Sequence, residues 1–296
     1  MSVESEDIID CMARMKGDRQ PFALATVVRT EDATSAKAGA KAIVRADGSF
    51  IGWVGGGCTQ GAVRKTAAQA LADGRARFIR VHPDAADGTG EDVEEYKNAC
   101  LSGGTIEVFV EPVLPRPLLF VLGASQTARA LCDLGGRLGF AVTVAALPDD
   151  LARIAGVDAA IEGFDLVGNS QAAKGYVVVA TQGKRDREAL ESALACGAPY
   201  VAFIGSRKKM AQLREQLTAR GVDPESLAAL RSPAGLDIGA VTPEEIALSI
   251  LAEIVQERRK DAAAGAREDV TIEGATVETR VVEPAAGGCC GEGGKH

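Results

Sequence analysis

A run of three glycines before a cysteine is the first feature of this sequence that could do chemistry. Residues 52–61 read GWVGGGCTQG. Glycines at a strand-to-helix turn let backbone N–H groups approach an anion, and the positive end of the helix dipole favours a thiolate there. A tight turn with a buried cysteine is the alternative interpretation. The ligand-site interpretation assigns cofactor binding to Gly55, Gly56, Gly57, Cys58 and Gln60.

A second cysteine, Cys100, precedes another glycine pair in the segment NACLSGG at residues 98–104. Thiolates prefer soft or thiophilic centres. We therefore predict that Cys58 and Cys100 face one soft ligand and contact a metal or its sulfur. Two independent buried cysteines remain the alternative, because cysteine is among the most often buried residue types.

The remaining cysteines carry less information, except for the adjacent pair Cys289 and Cys290. Adjacent thiols can bind Cu(I), so both are candidate copper ligands, and a glycine-rich tail without metal is the alternative. The chain has seven cysteines, an odd number, and no recognisable export signal. Both observations disfavour a disulfide framework. The two histidines lack the spacing of a structural zinc site.

The segment LLFVLGASQTA at residues 118–128 is a variant of the dinucleotide fingerprint. Gly123 takes the first glycine position of the fingerprint. At the second position Ser125 replaces the glycine that normally lets a pyrophosphate approach the backbone closely. Ala146 stands at the next strand end, where an acid would bind the ribose. The pattern predicts a Rossmann-like fold with Gly123 and Ser125 near phosphate, but not a standard NAD site.

Two further loops follow apolar stretches and carry polar or cationic groups. Ligands of open α/β sheets bind at the carboxyl ends of parallel strands, where both loops are expected. Lys184 and Lys208 are cations that could hold a phosphate, although solvated helix-start charges are the alternative. The candidate binding residues of these loops are Thr181, Gln182, Gly205, Ser206 and Arg207.

Hydrophobic periodicity and turn residues define the elements that must position these groups. Three prolines in segment 111–117 predict an extended linker, and the stretch from 83 to 96 reads as a polar loop. Strands are predicted at 22–29, 41–45, 50–54, 78–81, 105–110, 118–122, 141–146, 176–180 and 200–204. Helices are predicted at 61–73, 127–138, 187–195, 208–220 and 243–259.

This element order predicts an α/β protein of two domains and a tail. Residues 1–113 form a small N-terminal α+β domain, and residues 118–259 form a Rossmann-like, doubly wound parallel-sheet domain. Residues 260–296 are an irregular tail that includes a candidate hairpin and the adjacent cysteines.

Composition excludes several classes of protein. The 296 residues carry 33 Lys and Arg against 41 Asp and Glu, and the net charge of −8 disfavours broad binding to nucleic acid. Hydrophobic content of 46% suits a core-forming protein, and no apolar run reaches the ~18 residues of a membrane span. An acidic N-terminal segment without an apolar core predicts a cytoplasmic location.

The order of motifs resembles the XdhC/CoxI family of molybdenum-hydroxylase accessory proteins. The resemblance rests on ATVVRTEDATSAKAGAKAIVRADGSFIGWVGGGCTQGAV, CLSGGTIEVFVEP, LLFVLGASQTARAL and FIGSRKKMAQLREQL…GLDIGAVTPEEIALSILAEIVQERR. It covers nearly all of residues 20–260. The family's cysteine loops and its Gly-Ser-Arg element map onto Gly56, Gly57, Cys58, Cys100, Gly205, Ser206 and Arg207.

This resemblance implies a factor that binds the molybdenum cofactor, as molybdopterin or its cytosine dinucleotide form, and delivers it to a molybdenum hydroxylase. Such a hydroxylase would be of the xanthine dehydrogenase or carbon monoxide dehydrogenase type. The implied partners are the hydroxylase apo-enzyme and sulfuration or other maturation proteins, and a homodimer is left open. Catalytic turnover is not implied. The alternatives are an NAD(P)-dependent oxidoreductase and a copper-delivering metallochaperone.

Overall fold

The computed structural model describes residues 7–85, 88–89, 93–98 and 104–264. A seven-stranded sheet comes first in the chain, and a five-stranded sheet follows it. Besides a short 3-10 turn at Ala172–Lys174, the elements are α1 (Ile8–Gly17), β1 (Phe22–Glu31), β2 (Lys41–Arg45), β3 (Phe50–Gly52), α2 (Gly57–Asp73), β4 (Arg77–His82), β5 (Gly88–Thr89), β6 (Glu94–Lys97), β7 (Thr105–Val113), β8 (Leu118–Leu122), α3 (Gln126–Arg137), β9 (Ala141–Ala146), α4 (Pro148–Leu151), β10 (Ala159–Glu162), β11 (Tyr176–Val179), α5 (Asp186–Ala195), β12 (Tyr200–Phe203), α6 (Arg207–Ala219), α7 (Pro224–Ala229) and α8 (Pro243–Ala264).

The first sheet has the strand order β3-β2-β1-β7-β4-β6-β5, and its pairs are antiparallel except for β4 with β6. Alternation along the strands gives it two different faces. One face packs small aliphatic residues such as Ala25 and Val108 against α2, whereas Phe22 and Ile43 pack against α1 on the other face. Small side chains on the α2 face let this helix lie close to the sheet.

Strand direction brings several connecting segments to one edge of the first sheet, here called the loop edge. It comprises residues 32–40, residues 53–58, Asn98 and Gly104. Pairing of Glu31 with Thr105 and of Val81 with Ile106 places the ends of β1 and β4 beside the start of β7. Because β6 runs parallel to β4, it also ends there.

The second sheet is entirely parallel and has the order β10-β9-β8-β11-β12. Helices α3 and α8 pack on one face, where Val121 and Val178 are buried, and α5 and α6 cover the face that buries Phe120 and Val179. The strand order reverses between β8 and β11, which is the switch point of a doubly wound sheet. This confirms the predicted fold class: an N-terminal α+β part precedes a Rossmann-like parallel sheet.

The segment between α7 and α8 is held in place by contacts with β12 and with α8. Arg231 makes a parallel bridge with Ala202 at the edge of β12, and Gly235 N–H then donates to the buried Glu253 carboxylate (2.9 Å). The Tyr200 hydroxyl donates to the same carboxylate oxygen (2.7 Å). Gly235 has a φ of +90°, and a Cβ there would overlap the Ser249 hydroxyl.

Several predicted boundaries were wrong. The linker is shorter than 111–117, because β7 continues to Val113. Strand β7 can include Pro112 because β4 stops pairing with it at Val110. Pro112 therefore pairs with β1 alone, and its missing N–H removes no hydrogen bond to β4. The predicted polar loop 83–96 contains β5 and part of β6. Helix α8 extends to Ala264, into the segment assigned to the tail. Helices α1, α4 and α7 and strand β10 were not predicted from the sequence.

The candidate hairpin and the adjacent cysteines of the tail lie outside the described residues. Within the described residues, no helix has both the length and the apolar character that crossing a membrane requires.

Replacing Gly235 by alanine should lower the free energy of unfolding by about 2–4 kcal/mol, because a left-handed φ and overlap with α8 both add cost. Gly239→Ala is the matched control: Gly239 also has a positive φ (+70°), but within the described residues no atom lies within 4 Å of a Cβ placed there. The control should lose about 1–2 kcal/mol in urea unfolding. Equal losses would contradict a specific role for the contact with α8.

Candidate functional site

The Gly-Gly-Gly-Cys segment forms the start of α2 at the loop edge. The helix begins at Gly57, four residues earlier than predicted, so Cys58 lies in its first turn with a half-buried thiol. Gly56 is the N-cap residue, with extended backbone, and no side chain of the described residues caps the helix. The first N–H groups of an α-helix have no partner inside the helix. They are therefore available to a ligand or to water.

The three glycines have different structural roles. Gly55 has a φ of +130°, and a Cβ there would lie 3.0 Å from Thr59 Oγ1 and 3.2 Å from Ile106 Cδ1. Its lack of a side chain lets the loop approach β7. At Gly57, by contrast, a Cβ would meet no atom of the described residues within 4 Å. Among the described residues, nothing fills the space beside Gly57, next to Cys58.

Gln60 was predicted to donate to a ligand, and the structure gives its side chain a local partner. Its Nε2 donates to the carbonyl oxygen of Gly55 at 3.1 Å. The amide therefore holds the glycine turn against the first turn of α2, with one of its hydrogens already used.

The loop that contains Cys100 begins and ends at the same edge. Asn98 Nδ2 donates to the carbonyl oxygen of Gly104 (2.8 Å), which fixes the two ends of the loop relative to each other. A Cβ at Gly104 would lie 2.5 Å from the carbonyl oxygen of Ala33. Ser35, two residues on, has its hydroxyl 3.9 Å from where a Cβ of Gly56 would lie.

Segment 33–35 consequently links the two cysteine loops. This segment was not predicted from the sequence, because its Ala, Thr and Ser residues form no recognisable motif. Cys100 itself lies outside the described residues. Its predicted place beside Cys58 therefore stays a prediction, although both flanks of its loop are at the loop edge.

Trp53 borders the glycine turn. Its backbone N–H donates to the carbonyl oxygen of Lys41 (3.0 Å). Trp53 is 51% exposed, whereas the next residue, Val54, is buried in the core. The indole of Trp53 thus lies at the surface, three residues before the N-cap residue of α2, Gly56.

The described residues contain no cluster of three or more His, Cys, Asp or Glu side chains that could hold a metal. Cys11, Cys132 and Cys196 are buried in the hydrophobic cores, and burial raises the pKa of the Cys132 thiol to about 12. Cys289 and Cys290 lie outside the described residues.

At the switch point of the parallel sheet, Gly123 packs against the chain that follows β11. It has a φ of +118°, and a Cβ there would lie 2.6 Å from the carbonyl oxygen of Ala180 and 2.8 Å from the Cα of Thr181. The Ser125 hydroxyl accepts from the N–H of Ala128 (3.1 Å) and so caps α3. Both residues of the fingerprint variant thus have structural partners within the chain.

Thr181 is buried and donates its hydroxyl hydrogen to Asp186. Asp186 also accepts from the N–H of Gly183 (2.9 Å) and pairs with Lys209. Burial raises the pKa of Asp186, but the bonds from Lys209, Thr181 and Gly183 outweigh it and hold the pKa below its ordinary value. Gln182, in contrast, is exposed with a φ of +51°.

The Gly-Ser-Arg element follows β12. A Cβ at Gly205 would overlap the ring of Phe203, and the Ser206 hydroxyl accepts from the N–H of Lys209 (3.2 Å) as the cap of α6. Arg207 and Lys208 are exposed at the start of this helix. Of the predicted residues here, these two cations present their side chains to solvent.

Two family models match the chain. One, described as the XdhC and CoxI family, matches residues 16–82, and the other, described as the XdhC Rossmann domain, matches residues 119–254. Together they include the glycine turn with Cys58 and nearly the whole parallel sheet. The chain belongs to the XdhC and CoxI family.

Among relatives of this XdhC and CoxI family member, YqeB of Escherichia coli (strain K12) is 32% identical over 258 residues, which are 82% of this chain and 45% of YqeB. The chain thus spans less than half of that relative. The molybdenum cofactor insertion chaperone PaoD of the same organism is 25% identical over 273 residues, covering 79% of this chain and 83% of PaoD.

A solved structure, the crystal structure of a xanthine dehydrogenase from Bacillus halodurans, is also similar. It is 20% identical with a TM-score of 0.42, and the match covers 85% of this chain and 96% of that one.

We expect this XdhC and CoxI family chain not to bind NAD(H) with micromolar affinity. The backbone around Ala180 lies against Gly123, and Ala146 offers no carboxylate to the ribose hydroxyls. Isothermal titration calorimetry with NAD⁺, NADH and NADPH tests this expectation. A micromolar dissociation constant, or steady turnover of the nicotinamide cofactor with an aldehyde or purine substrate, would contradict it.

Proposed function

We propose that this protein binds the molybdenum cofactor as cargo and assists its maturation and insertion into a molybdenum hydroxylase. The observation that carries the proposal is the family membership together with the alignment to PaoD, a molybdenum cofactor insertion chaperone, over 83% of PaoD's length. The xanthine dehydrogenase or carbon monoxide dehydrogenase type of recipient belongs to this proposal.

The loop edge supports the proposal chemically. The molybdenum cofactor combines an anionic phosphate with a metal centre bound to sulfur. The uncapped N–H groups at the start of α2 suit an anion, and the half-buried thiol of Cys58 suits a soft metal or its sulfur. One short turn therefore offers both kinds of contact, and the Cys100 loop has its two ends at the same edge.

A protein that carries the molybdenum cofactor must retain it and later release it, and need not convert it chemically. A half-buried thiol can exchange a ligand with solvent or with a partner protein, whereas a thiol inside a hydrophobic core cannot. We propose Cys58 and Cys100 as contacts to the metal or its sulfur, with the hydroxylase apo-enzyme and sulfuration proteins as partners in the cytoplasm. Analysis of the nucleotide released from the bound pterin distinguishes molybdopterin from its cytosine dinucleotide form as the cargo.

Cys58→Ala should reduce the molybdenum and pterin that co-purify from cells making the cofactor at least several-fold, while thermal unfolding stays nearly unchanged, because the half-buried side chain contributes little to packing. Cys196→Ala is the matched control: it also removes one thiol, but from the core beside α5, so it should lose some stability and keep the cargo. Metal analysis and pterin fluorescence measure retention.

Activation of a hydroxylase apo-enzyme by each purified variant supplies the second readout. Equal cargo loss in both variants, or a loss for Cys58→Ala that follows its thermal stability, would contradict a direct contact by Cys58. Absence of molybdenum and pterin from the wild-type protein would contradict the proposed function as a whole.

Copper delivery by Cys289 and Cys290 remains a second proposal, resting on the affinity of adjacent thiols for Cu(I). Removing residues 284–296 should leave thermal unfolding unchanged, since this Gly- and Ala-rich segment offers few apolar groups to a core. It should abolish Cu(I) binding and leave cofactor binding intact. Competition for Cu(I) against a chromogenic chelator compares the full-length and truncated chains, and identical weak binding would contradict copper delivery.

A further inference from the structure

An ion pair crosses the switch point of the parallel sheet. Lys184 Nζ donates to both carboxylate oxygens of Asp150, at 3.1 and 3.0 Å. Asp150 lies in α4, which follows β9, and Lys184 lies in the loop that follows β11. Strand β8 lies between β9 and β11 in the sheet. The ion pair therefore spans the carboxyl end of β8.

The space above this strand end is the usual ligand crevice of an open parallel sheet. Helix α3 starts directly after β8, with Ser125 as its cap, so its positive end adjoins the same crevice. In this chain the ion pair spans this strand end, and Gly123 packs against Ala180 beside it.

The two partners differ in their exposure to solvent. The Asp150 side chain is 12% exposed and the Lys184 side chain 62% exposed, so the ammonium group can move towards solvent more readily than the carboxylate. A buried carboxylate that loses its cation is costly. Arg153 offers a replacement, because its Nη1 lies 3.9 Å from Asp150 Oδ1.

Two other cations near Lys184 have carboxylate partners of their own. Lys209 pairs with the buried Asp186, and Arg185 pairs with Glu188 on the first turn of α5. Asp186 also fixes the start of the loop through Thr181 and Gly183, so Lys184 projects from an anchored turn.

We propose that Lys184 is a phosphate-binding residue of the switch-point crevice and that Asp150 occupies it when no ligand is bound. A phosphate or pyrophosphate group of a nucleotide-like ligand would take over Lys184, and Arg153 would keep the charge of Asp150 compensated. Neutral ligands would gain nothing from the exchange. The inference does not depend on the proposed handling of the molybdenum cofactor at the loop edge.

Calorimetric titration of the full-length protein with ADP tests the proposal, with inorganic pyrophosphate and adenosine as the separated halves of the probe. Wild-type protein should bind ADP weakly, because Asp150 competes for the lysine. Asp150→Asn should bind about tenfold more tightly, and adding Lys184→Met to it should remove that gain, as expected for a hydrogen bond to a charged group. Adenosine should not bind.

Lys174→Met is the matched control, since it removes the same charge from an exposed lysine before β11, at the opposite end of that strand. It should leave ADP binding unchanged. Pyrophosphate that binds Asp150→Asn as tightly as ADP does would support a site for phosphates alone, and tighter binding of ADP would support a nucleotide site.

Three results would overturn the proposal. The first is adenosine binding equal to that of ADP. The second is the same ADP affinity in Asp150→Asn with and without Lys184→Met. The third is an absence of ADP binding in all variants. Lower thermal stability of Asp150→Asn would then identify the ion pair as a structural interaction.

Discussion

The antiparallel pairing of β7 with β1 on one side and β4 on the other is the constraint that organises the candidate site. It fixes the start of β7 beside the ends of its two neighbours, so the segments that leave those ends meet at the loop edge. Gly55 approaches Ile106 near the start of the same strand, which brings in the first turn of α2. A shift of β7 by one residue would turn its buried side chains away from α2 and separate these loops.

The same strand also connects the two halves of the structure. After Val113 only residues 114–117 intervene before β8, which is the central strand of the parallel sheet. Arg116, in this short connection, pairs with Asp158 (2.7 Å), and Asp158 accepts from the N–H of Val142 (2.8 Å) at the start of β9. The backbone N–H of Val142 and the Arg116 guanidinium hold the pKa of Asp158 below its ordinary value. The short connection is thus bound to the sheet it enters.

Elements were predicted correctly where their local sequence pattern agrees with their tertiary contacts. Run 118–122 is entirely apolar between Pro117 and Gly123, and run 141–146 is apolar apart from Thr143. The structure has β8 and β9 at those bounds. Strand β10 was missed because its residues, AAIE, are mostly exposed at the sheet edge. Helix α2 was predicted to start late, since glycine has a low helix propensity, yet packing against β7 extends it back to Gly57.

The candidate site was harder to predict from the sequence, because the structural role of a glycine depends on residues that are far away in the chain. Gly123 and Gly205 looked like ligand-facing positions, but Ala180 and Phe203 explain their lack of a side chain. Gly57 lies in a similar glycine-rich motif, yet no atom of the described residues lies within 4 Å of a Cβ placed there. In the same way, Lys184 and Asp150 are far apart in sequence, and only the order of the parallel strands brings them together.

The surface position of Trp53 beside the glycine turn gives the molecule a built-in optical probe. It is the single tryptophan of the chain, so the emission at long excitation wavelengths comes from one indole near the loop edge. Its wavelength maximum and its accessibility to iodide or acrylamide would report the polarity and the covering of this surface without any attached dye. Binding events at the loop edge could therefore be followed through the emission of this one residue.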